Sequence, residues 1–224
     1  MYQKNKKQTK KILSIWVVIP AYNEAQTIHK VVHDVYRYVQ NIIVVDDAST
    51  DKTSTILKTL LIHTIENKQK SGYSKSLETG IKKAFENGAD HAVSFDADGQ
   101  HRGSDLPKII EAINKYNPDF VLGKRTHKNR LMEFFLGLYA KARFGFSDPL
   151  CGLKAYKRTM FQKYNYLERK FTIGTEIVFR ALKEGAQFIE VEIRSQKRSD
   201  TSRFAGRIKG NLLELRALYN ILSI

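Results

Sequence analysis

The strongest constraint on the fold is a repeated alternation between continuous apolar runs and segments with helical spacing. Residues 15–19 (Ile-Trp-Val-Val-Ile) and 42–45 (Ile-Ile-Val-Val) are β-branched runs typical of strands buried on both faces. Between them, residues 24–38 carry apolar side chains at helical spacing. Further strands are predicted at 62–65, 92–95, 120–123 and 188–193. The alternation predicts an α/β fold with a doubly wound, mostly parallel sheet.

Polar loops follow three of these strands. They contain Tyr22-Asn23-Glu24, Asp46-Asp47 and Asp96-Ala97-Asp98-Gly99. Because ligands of open α/β sheets bind at the carboxyl ends of the strands, we expect these loops to meet at one edge. Asp96 and Asp98 allow two interpretations. They suit a Mg²⁺ or Mn²⁺ ion that bridges to substrate phosphates, or they form an ordinary Asp-Gly turn.

Charge and cysteine content limit the partners and the compartment. The 224 residues carry a formal net charge of +15, which indicates an anionic partner such as nucleic acid, a lipid surface or a phosphorylated substrate. The single cysteine, Cys151, excludes an internal disulfide and a cysteine-rich zinc site. No apolar run approaches the roughly 20 residues of a membrane span. We therefore expect a cytoplasmic protein, with residues 1–13 as a basic tail.

Two common phosphate-binding motifs are missing. The chain has no Gly-Lys-Ser/Thr of a P-loop and no Gly-x-Gly-x-x-Gly after its first strand. Metal-bridged phosphate remains as the mode of binding. A nucleoside diphosphate needs a hydrogen-bond acceptor for its base, carboxylates or donors for its ribose, and a divalent ion for its pyrophosphate. These groups could be supplied by Glu24, Asp47 and the Asp96/Asp98 pair.

The ordered motifs resemble family 2 glycosyltransferases with the GT-A fold. Within that family they look most like the dolichyl- or polyprenyl-phosphate mannose synthase branch, over roughly residues 14–205. The residues that carry the resemblance are Val18-Ile19-Pro20-Ala21-Tyr22-Asn23-Glu24, Val44 to Thr53, Asp96-Ala97-Asp98-Gly99-Gln100-His101, Gly123-Lys124-Arg125, Asp148-x-x-Cys151-Gly152, Glu190 to Ile193, Arg198 and Ser202-Arg203.

The resemblance implies a Rossmann-like GT-A domain at 14–205, followed by an amphipathic C-terminal helix at 206–224. Residues implied to bind the nucleotide sugar are Pro20, Tyr22, Glu24, Asp47, Asp96 and Asp98. Asp96, Asp98 and Gln100 would hold Mg²⁺ or Mn²⁺. Residues implied to bind the acceptor phosphate, in the basic second half of the chain, are Arg125, Arg130, Arg198, Ser202 and Arg203. Asp98, Gln100, Arg125 and Glu176 are the candidate catalytic residues.

The implied reaction moves a hexose from GDP-mannose or a UDP-hexose to a polyprenyl or dolichyl phosphate, with inversion at the anomeric carbon. A phosphate acceptor is already anionic at pH 7 and needs no strong general base. A hydroxyl acceptor would need one, and Glu176 is then the first candidate. We expect peripheral contact with the cytoplasmic membrane face, or a membrane-anchored partner protein, and no binding of nucleic acid.

Three alternatives remain open. The same donor site could serve a saccharide hydroxyl in the synthesis of cell-surface glycans. A basic nucleic-acid-binding module would explain the charge, but the required motifs are missing. A catalytically inactive sensor of nucleotide sugars is disfavoured by the presence of Asp96, Asp98 and Arg125.

Overall fold

The computed structural model describes residues 13–126, 131–170, 172, 174–194 and 207–223. The strands are β1 (Ile15–Ala21), β2 (Ile42–Asp46), β3 (His63–Glu66), β4 (His91–Ser94), β5 (Phe120–Arg125), β6 (Lys154–Lys157) and β7 (Phe188–Ile193). The α-helices are α1 (Ile28–Tyr36), α2 (Thr53–Leu57), α3 (Tyr73–Glu86), α4 (Leu106–Tyr116), α5 (Leu131–Phe144), α6 (Arg158–Tyr164), α7 (Glu176–Lys183) and α8 (Arg207–Leu222).

The strands form one seven-stranded sheet in the order β3-β2-β1-β4-β6-β5-β7. All neighbours pair in parallel except β6, which is antiparallel to both β4 and β5. The prediction of a mostly parallel α/β sheet flanked by helices is confirmed. Strand β6 and helices α5 and α6 were not predicted from the sequence.

Both faces of the sheet are buried, as the continuous apolar runs predict. Along β1, Val17 and Ile19 pack on one side with α1 and α4, and Trp16 and Val18 pack on the other with α3, α5 and α7. A Cβ at Gly80 of α3 would overlap a methyl group of Val18. The glycine therefore permits the close approach of α3 to β1.

Helix α8 corresponds to the C-terminal helix predicted at 206–224, and it packs against α5. Within the stretches that the structure describes, none of the helices is both long enough and apolar enough to cross a bilayer. The division into a tail, a catalytic domain and a C-terminal helix stays a prediction, and residues 1–12 of the tail lie outside the described part.

Candidate functional site

The loops after β1 and β2 are joined by hydrogen bonds at the carboxyl edge of the sheet. The Asn23 side-chain carbonyl accepts a 2.7 Å bond from the Thr50 backbone N–H, and Asn23 takes a left-handed conformation with φ of 55°. The Glu24 backbone N–H donates to Thr53 Oγ1 at 2.8 Å. These bonds, together with a 2.8 Å bond from the Asp47 N–H to the Ala21 carbonyl, bring the two loops together, as the sequence predicts.

Asp47 is almost fully buried and accepts four hydrogen bonds. Its Oδ1 accepts bonds from Asn67 Nδ2, the Ser71 backbone N–H and Ser71 Oγ, and its Oδ2 accepts one from the Gly72 N–H, all at 2.8–2.9 Å. Burial acts to raise the pKa of Asp47, but these donors outweigh it and lower the pKa to about 2. Asp47 is therefore an anion that fixes the segment leading into α3.

The preceding carboxylate, Asp46, has a local contact. Its Oδ1 accepts a 3.0 Å hydrogen bond from the Ser49 N–H, within the turn that follows β2. Asp46 thus stabilises this turn, and the predicted binding role of Asp47 stays a prediction.

Asp96 follows β4 and is held at both carboxylate oxygens. Tyr73 Oη donates to Oδ1 at 2.9 Å, and His101 Nε2 lies 3.0 Å from Oδ2. Burial acts to raise the pKa of Asp96, whereas its contacts with His101 and Tyr73 lower it. Burial and the nearby Asp96 raise the pKa of Tyr73, so the phenol is protonated at neutral pH and donates.

Asp98 and Gln100 lie in the turn after Asp96. The Gln100 backbone N–H donates to Asp98 Oδ1 at 3.0 Å, and Gly99 between them has φ of 76°. Both Asp96 and Asp98 remain near the surface of the sheet edge, with Asp96 partly accessible. The Asp-Gly turn is present, and the role of the two carboxylates as metal ligands stays a prediction.

The turn before β6 packs against Asp96. A Cβ on Gly152 would overlap Asp96 Oδ2, so the Gly152 backbone is packed directly on the carboxylate. Ser94 Oγ fixes this contact by donating to the Gly152 carbonyl at 2.6 Å. A buried lysine, Lys154, donates to the Cys151 carbonyl at 2.5 Å. Burial lowers the pKa of Lys154.

The oxygen donors of Asp96 and Asp98 fit a hard divalent ion. Among the residues that the structure describes, no group of three or more His, Cys, Asp or Glu side chains is arranged to hold a metal. Within the described segments, the carboxylates alone do not make up a complete coordination shell.

Arg125 ends β5 at the same edge and forms a bidentate ion pair with Asp148. Its Nε and Nη2 lie 2.8 and 2.9 Å from the Asp148 oxygens, and Nη2 lies 3.4 Å from Glu133 Oε2. Burial acts to lower the pKa of Arg125, but Asp148 raises it above the ordinary value, so the guanidinium stays charged. The pair ties β5 and the start of α5 to the turn before β6.

Glu176 is fully buried at the start of α7, with its oxygens engaged. Oε2 accepts the backbone N–H groups of Arg169 and Lys170 at 2.8 Å, and Oε1 accepts Arg180 Nε at 2.7 Å. Burial acts to raise its pKa, but these donors lower it. These contacts anchor the loop before α7, and a catalytic role for Glu176 stays a prediction.

Sequence reasoning missed Tyr73, Glu133 and Lys154. Tyr73 is 23 positions from its partner Asp96, and Lys154 begins a strand that was not predicted. Two features of the sequence could have pointed to them. Ser71-Gly72 precedes the helix that begins at Tyr73, and Lys154 lies close to Asp148 in the chain. Four predicted acceptor residues lie outside the described part of the chain: Arg130, Arg198, Ser202 and Arg203.

Comparisons with known proteins identify the family and the fold. Residues 16–181 match the model of the family described as Glycosyl transferase family 2. A Methanococcus voltae protein named UDP-N-acetylglucosamine–dolichyl-phosphate N-acetylglucosaminyltransferase is 39% identical over 129 residues, which are 50% of this chain and 51% of the relative. The chain thus spans about half of that relative's length.

A longer alignment exists with the undecaprenyl-phosphate mannosyltransferase of Micrococcus luteus, which is 25% identical over 88% of this chain and 90% of the relative. A crystal structure of glucosyl-3-phosphoglycerate synthase from Mycobacterium tuberculosis with Mn²⁺ and UDP-glucose has a similar fold. Its TM-score is 0.78, at 17% identity, over 94% of this chain and 78% of that one.

Proposed function

Since the chain belongs to glycosyl transferase family 2, we propose that it moves a hexose from GDP-mannose or a UDP-hexose to a polyprenyl or dolichyl phosphate. The observation that carries the proposal is the position of Asp96 after β4, where it is linked to the Asp47 loop through Tyr73 and packs against Gly152, with Asp98 in the turn that follows. The names of the relatives from Methanococcus voltae and Micrococcus luteus, which refer to dolichyl and undecaprenyl phosphates, support this acceptor class.

The donor pyrophosphate belongs beside the carboxylate pair. Asp96, Asp98 and Gln100 would hold Mg²⁺ or Mn²⁺, and donor phosphate oxygens would complete the coordination that two carboxylates leave unfinished. When bound, the ion would neutralise the charge that develops on the departing nucleoside diphosphate. Glycine at position 152 lets the backbone pack on Asp96 without overlap, since a Cβ there would collide with the carboxylate.

The nucleoside belongs between the loops after β1 and β2, lined by Pro20, Tyr22, Glu24 and Asp47. Each carboxylate oxygen has two lone pairs. Since Asp47 Oδ2 accepts one bond, from Gly72, it has the capacity to accept another from an N–H of the base. Hydrogen bonds from the 67–72 segment keep Asp47 ionised and oriented for that contact, because they lower its pKa.

The acceptor phosphate belongs on the side of Arg125, together with Arg130, Arg198, Ser202 and Arg203. Asp148 fixes the orientation of the Arg125 guanidinium through its bidentate contact. An acceptor phosphate oxygen would form a bond to the anomeric carbon while the bond from that carbon to the donor phosphate oxygen breaks. The nucleoside diphosphate leaves with the electron pair, and the sugar is inverted.

The state of Glu176 favours a phosphate acceptor over a sugar hydroxyl. A hydroxyl acceptor needs a general base that can reach its proton. Glu176 is fully buried, its oxygens accept three hydrogen bonds, and its pKa is lowered. An ionised phosphate has no proton that must be removed, so the displacement proceeds without this base.

The exposed sides of α5 and α8 would bring the enzyme to the lipid. The two helices are in contact. Phe134 and Leu138 of α5, one helical turn apart, are each more than half exposed, as is Tyr219 of α8. Exposed basic side chains accompany them at Lys141, Arg143 and Arg216. An apolar surface next to cations suits an anionic bilayer.

The test is a turnover assay of the purified chain with Mn²⁺. GDP-mannose, UDP-glucose and UDP-N-acetylglucosamine are each offered with a short polyprenyl phosphate or with a saccharide. We expect one donor to give a glycosylated lipid phosphate. Asp98→Asn should abolish turnover, and Asp119→Asn, a carboxylate at the opposite edge of the sheet, should not.

Turnover with a saccharide but not with the lipid phosphate would show that the acceptor is a saccharide hydroxyl. If no donor is consumed and none raises the melting temperature, the proposed activity is wrong. Salt-sensitive oligonucleotide binding that survives Asp96→Ala would instead support a nucleic-acid-binding module.

A further inference from the structure

A short segment between β3 and α3 joins the two acidic parts of the donor site. Ser71 and Gly72 donate their backbone N–H groups to Asp47, each at 2.8 Å. The next residue, Tyr73, begins α3 and donates its hydroxyl to Asp96 Oδ1 at 2.9 Å. Asp47 and Asp96 are thus connected through three consecutive residues.

The direction of Tyr73 is set by the backbone before it. Gly72 has φ of 91°, a conformation that favours glycine, and Asp47 holds its N–H. On its other side the Tyr73 ring borders the loop before α7, since a Cβ on Gly174 would lie 3.9 Å from Tyr73 Cε1. The Gly72 backbone and the loop at Gly174 therefore limit where the ring can lie while its hydroxyl contacts Asp96.

Asp96 needs such a contact to keep one orientation. His101 lies at Oδ2 and Tyr73 at Oδ1, so together they define the plane of the carboxylate. Each oxygen has a second lone pair with which it can meet a metal ion or a hydrogen-bond donor. Partners that hold a metal-ligating carboxylate affect metal affinity by about 10- to 100-fold when removed.

We propose that Tyr73 is a positioning residue of the donor site, which orients Asp96 for the metal-bound pyrophosphate and couples this orientation to Asp47 through Ser71 and Gly72. The inference rests on the proposed function, because it assigns Tyr73 to the same donor site. It gives the 71–73 segment a role that no sequence motif indicates.

The test compares Tyr73→Phe with wild type in titrations of Mn²⁺, with GDP or UDP present, followed by the loss of the free Mn²⁺ electron paramagnetic resonance signal. We expect about 10- to 100-fold weaker binding of Mn²⁺ with nucleotide. The unfolding midpoint should change little, because only one hydroxyl is removed. Tyr116→Phe, at an exposed tyrosine outside the site, is the matched control and should bind as wild type does.

A merely structural role gives a different result. If Tyr73→Phe lowers the unfolding midpoint and leaves Mn²⁺ binding as in wild type, the positioning role is wrong. If wild type itself shows no nucleotide-dependent Mn²⁺ binding, the proposed function fails and this inference fails with it. If wild type binds Mn²⁺ with nucleotide and Tyr73→Phe binds it more weakly, the result supports both the donor site of the proposed function and the positioning role of Tyr73.

The coupling is tested by combining Asp47→Asn with Tyr73→Phe. If Asp47 acts on Asp96 through Tyr73, the double variant should lose less Mn²⁺ affinity than the product of the two single losses. If the loss of Mn²⁺ affinity in the double variant equals the product of the two single losses, Asp47 and Tyr73 act independently. That result would overturn the coupling.

Discussion

At the scale of single residues, Asp47 links stability to pH. Its folded pKa of about 2 lies below the unfolded value of 3.8, so its contribution is present above pH 3.8 and is lost as the pH falls towards 2. Asp47→Asn should lower the free energy of unfolding by about 2 kcal/mol at pH 7. Denaturant titrations at pH 7 and pH 3 check this, because the difference from wild type should shrink at the lower pH.

Asp119→Asn is a suitable control for this measurement. Asp119 accepts one hydrogen bond from the Gln187 N–H in an exposed position, so its loss should cost less than that of Asp47. A difference between wild type and Asp47→Asn that stays constant from pH 7 to pH 3 would contradict the ionic origin of the effect.

A second residue-scale prediction concerns Gly152. In Gly152→Ala the new Cβ would overlap Asp96 Oδ2, so the carboxylate must turn away from Tyr73 and His101. We expect binding of Mn²⁺ with GDP or UDP to weaken by about 10-fold or more, measured by calorimetry.

Gly88→Ala separates this effect from a general cost of replacing glycine. Gly88 has φ of 93°, and a Cβ added there would meet no atom within 4 Å. Alanine at this position therefore causes backbone strain of about 1–2 kcal/mol without touching a carboxylate. Equal loss of Mn²⁺ binding in both variants would argue against the contact between Gly152 and Asp96.

At the scale of elements, Glu176 anchors the loop that precedes α7. Its contribution to stability is present above its ordinary pKa and is lost as the pH falls, because the folded pKa is lowered. Glu176→Gln should lower the free energy of unfolding at pH 7 by about 1–3 kcal/mol, since it weakens hydrogen bonds to a charged group. With a lipid phosphate as acceptor, kcat should change by less than about 10-fold. Loss of a general base would lower kcat by about 100-fold or more.

The opposite pattern would restore Glu176 as the catalytic base. A loss of kcat by about 100-fold or more, with unchanged stability, is the result expected for a group that removes a proton. Unfolding by denaturant and steady-state kinetics on the same preparation distinguish the two patterns.

The elements differ in how well the sequence predicts them. β1 and β2 have continuous β-branched runs, and this signal needs no knowledge of the partner strands. β6 has the sequence Lys-Ala-Tyr-Lys, in which Lys154 is buried only because the sheet and the Cys151 carbonyl surround it. Its strand conformation depends on pairing with β4 and β5, so local pattern does not reveal it.

The residues of the candidate site also differ in how well the sequence predicts them. Asp96 and Asp98 could be found because they end a strand, and parallel strand ends meet at one edge. Tyr73, the partner of Asp96, could not, because it contacts Asp96 from another element, 23 positions away in the chain. Residue types and strand ends are therefore readable from the chain, whereas side-chain contacts between distant segments require the tertiary structure.

At the scale of the whole molecule, we expect the outer sides of α5 and α8 to bind anionic membranes. The double variant Phe134→Ser/Leu138→Ser should partition about 10-fold or more less into vesicles of anionic phospholipid, because each side chain contributes about 1.5–3 kcal/mol on full burial. Co-sedimentation measures this. Leu61→Ser is the control, since Leu61 is 94% exposed but lies between α2 and β3.

Vesicle binding that is the same in wild type and in the double variant would assign membrane contact to another part of the chain. Equal binding to neutral and anionic vesicles would show that the basic residues of these helices do not contribute.

The position of β6 has a consequence for biosynthesis. β6 lies between β4 and β5, although the ribosome makes both of them first. A nascent chain that has not yet reached residue 154 therefore leaves one edge of β4 without its partner. Unpaired strand edges are prone to intermolecular association. Insertion of this strand fills the gap between β4 and β5 and brings Gly152 onto Asp96, so the contact between Gly152 and Asp96 forms only after both neighbouring strands have been synthesised.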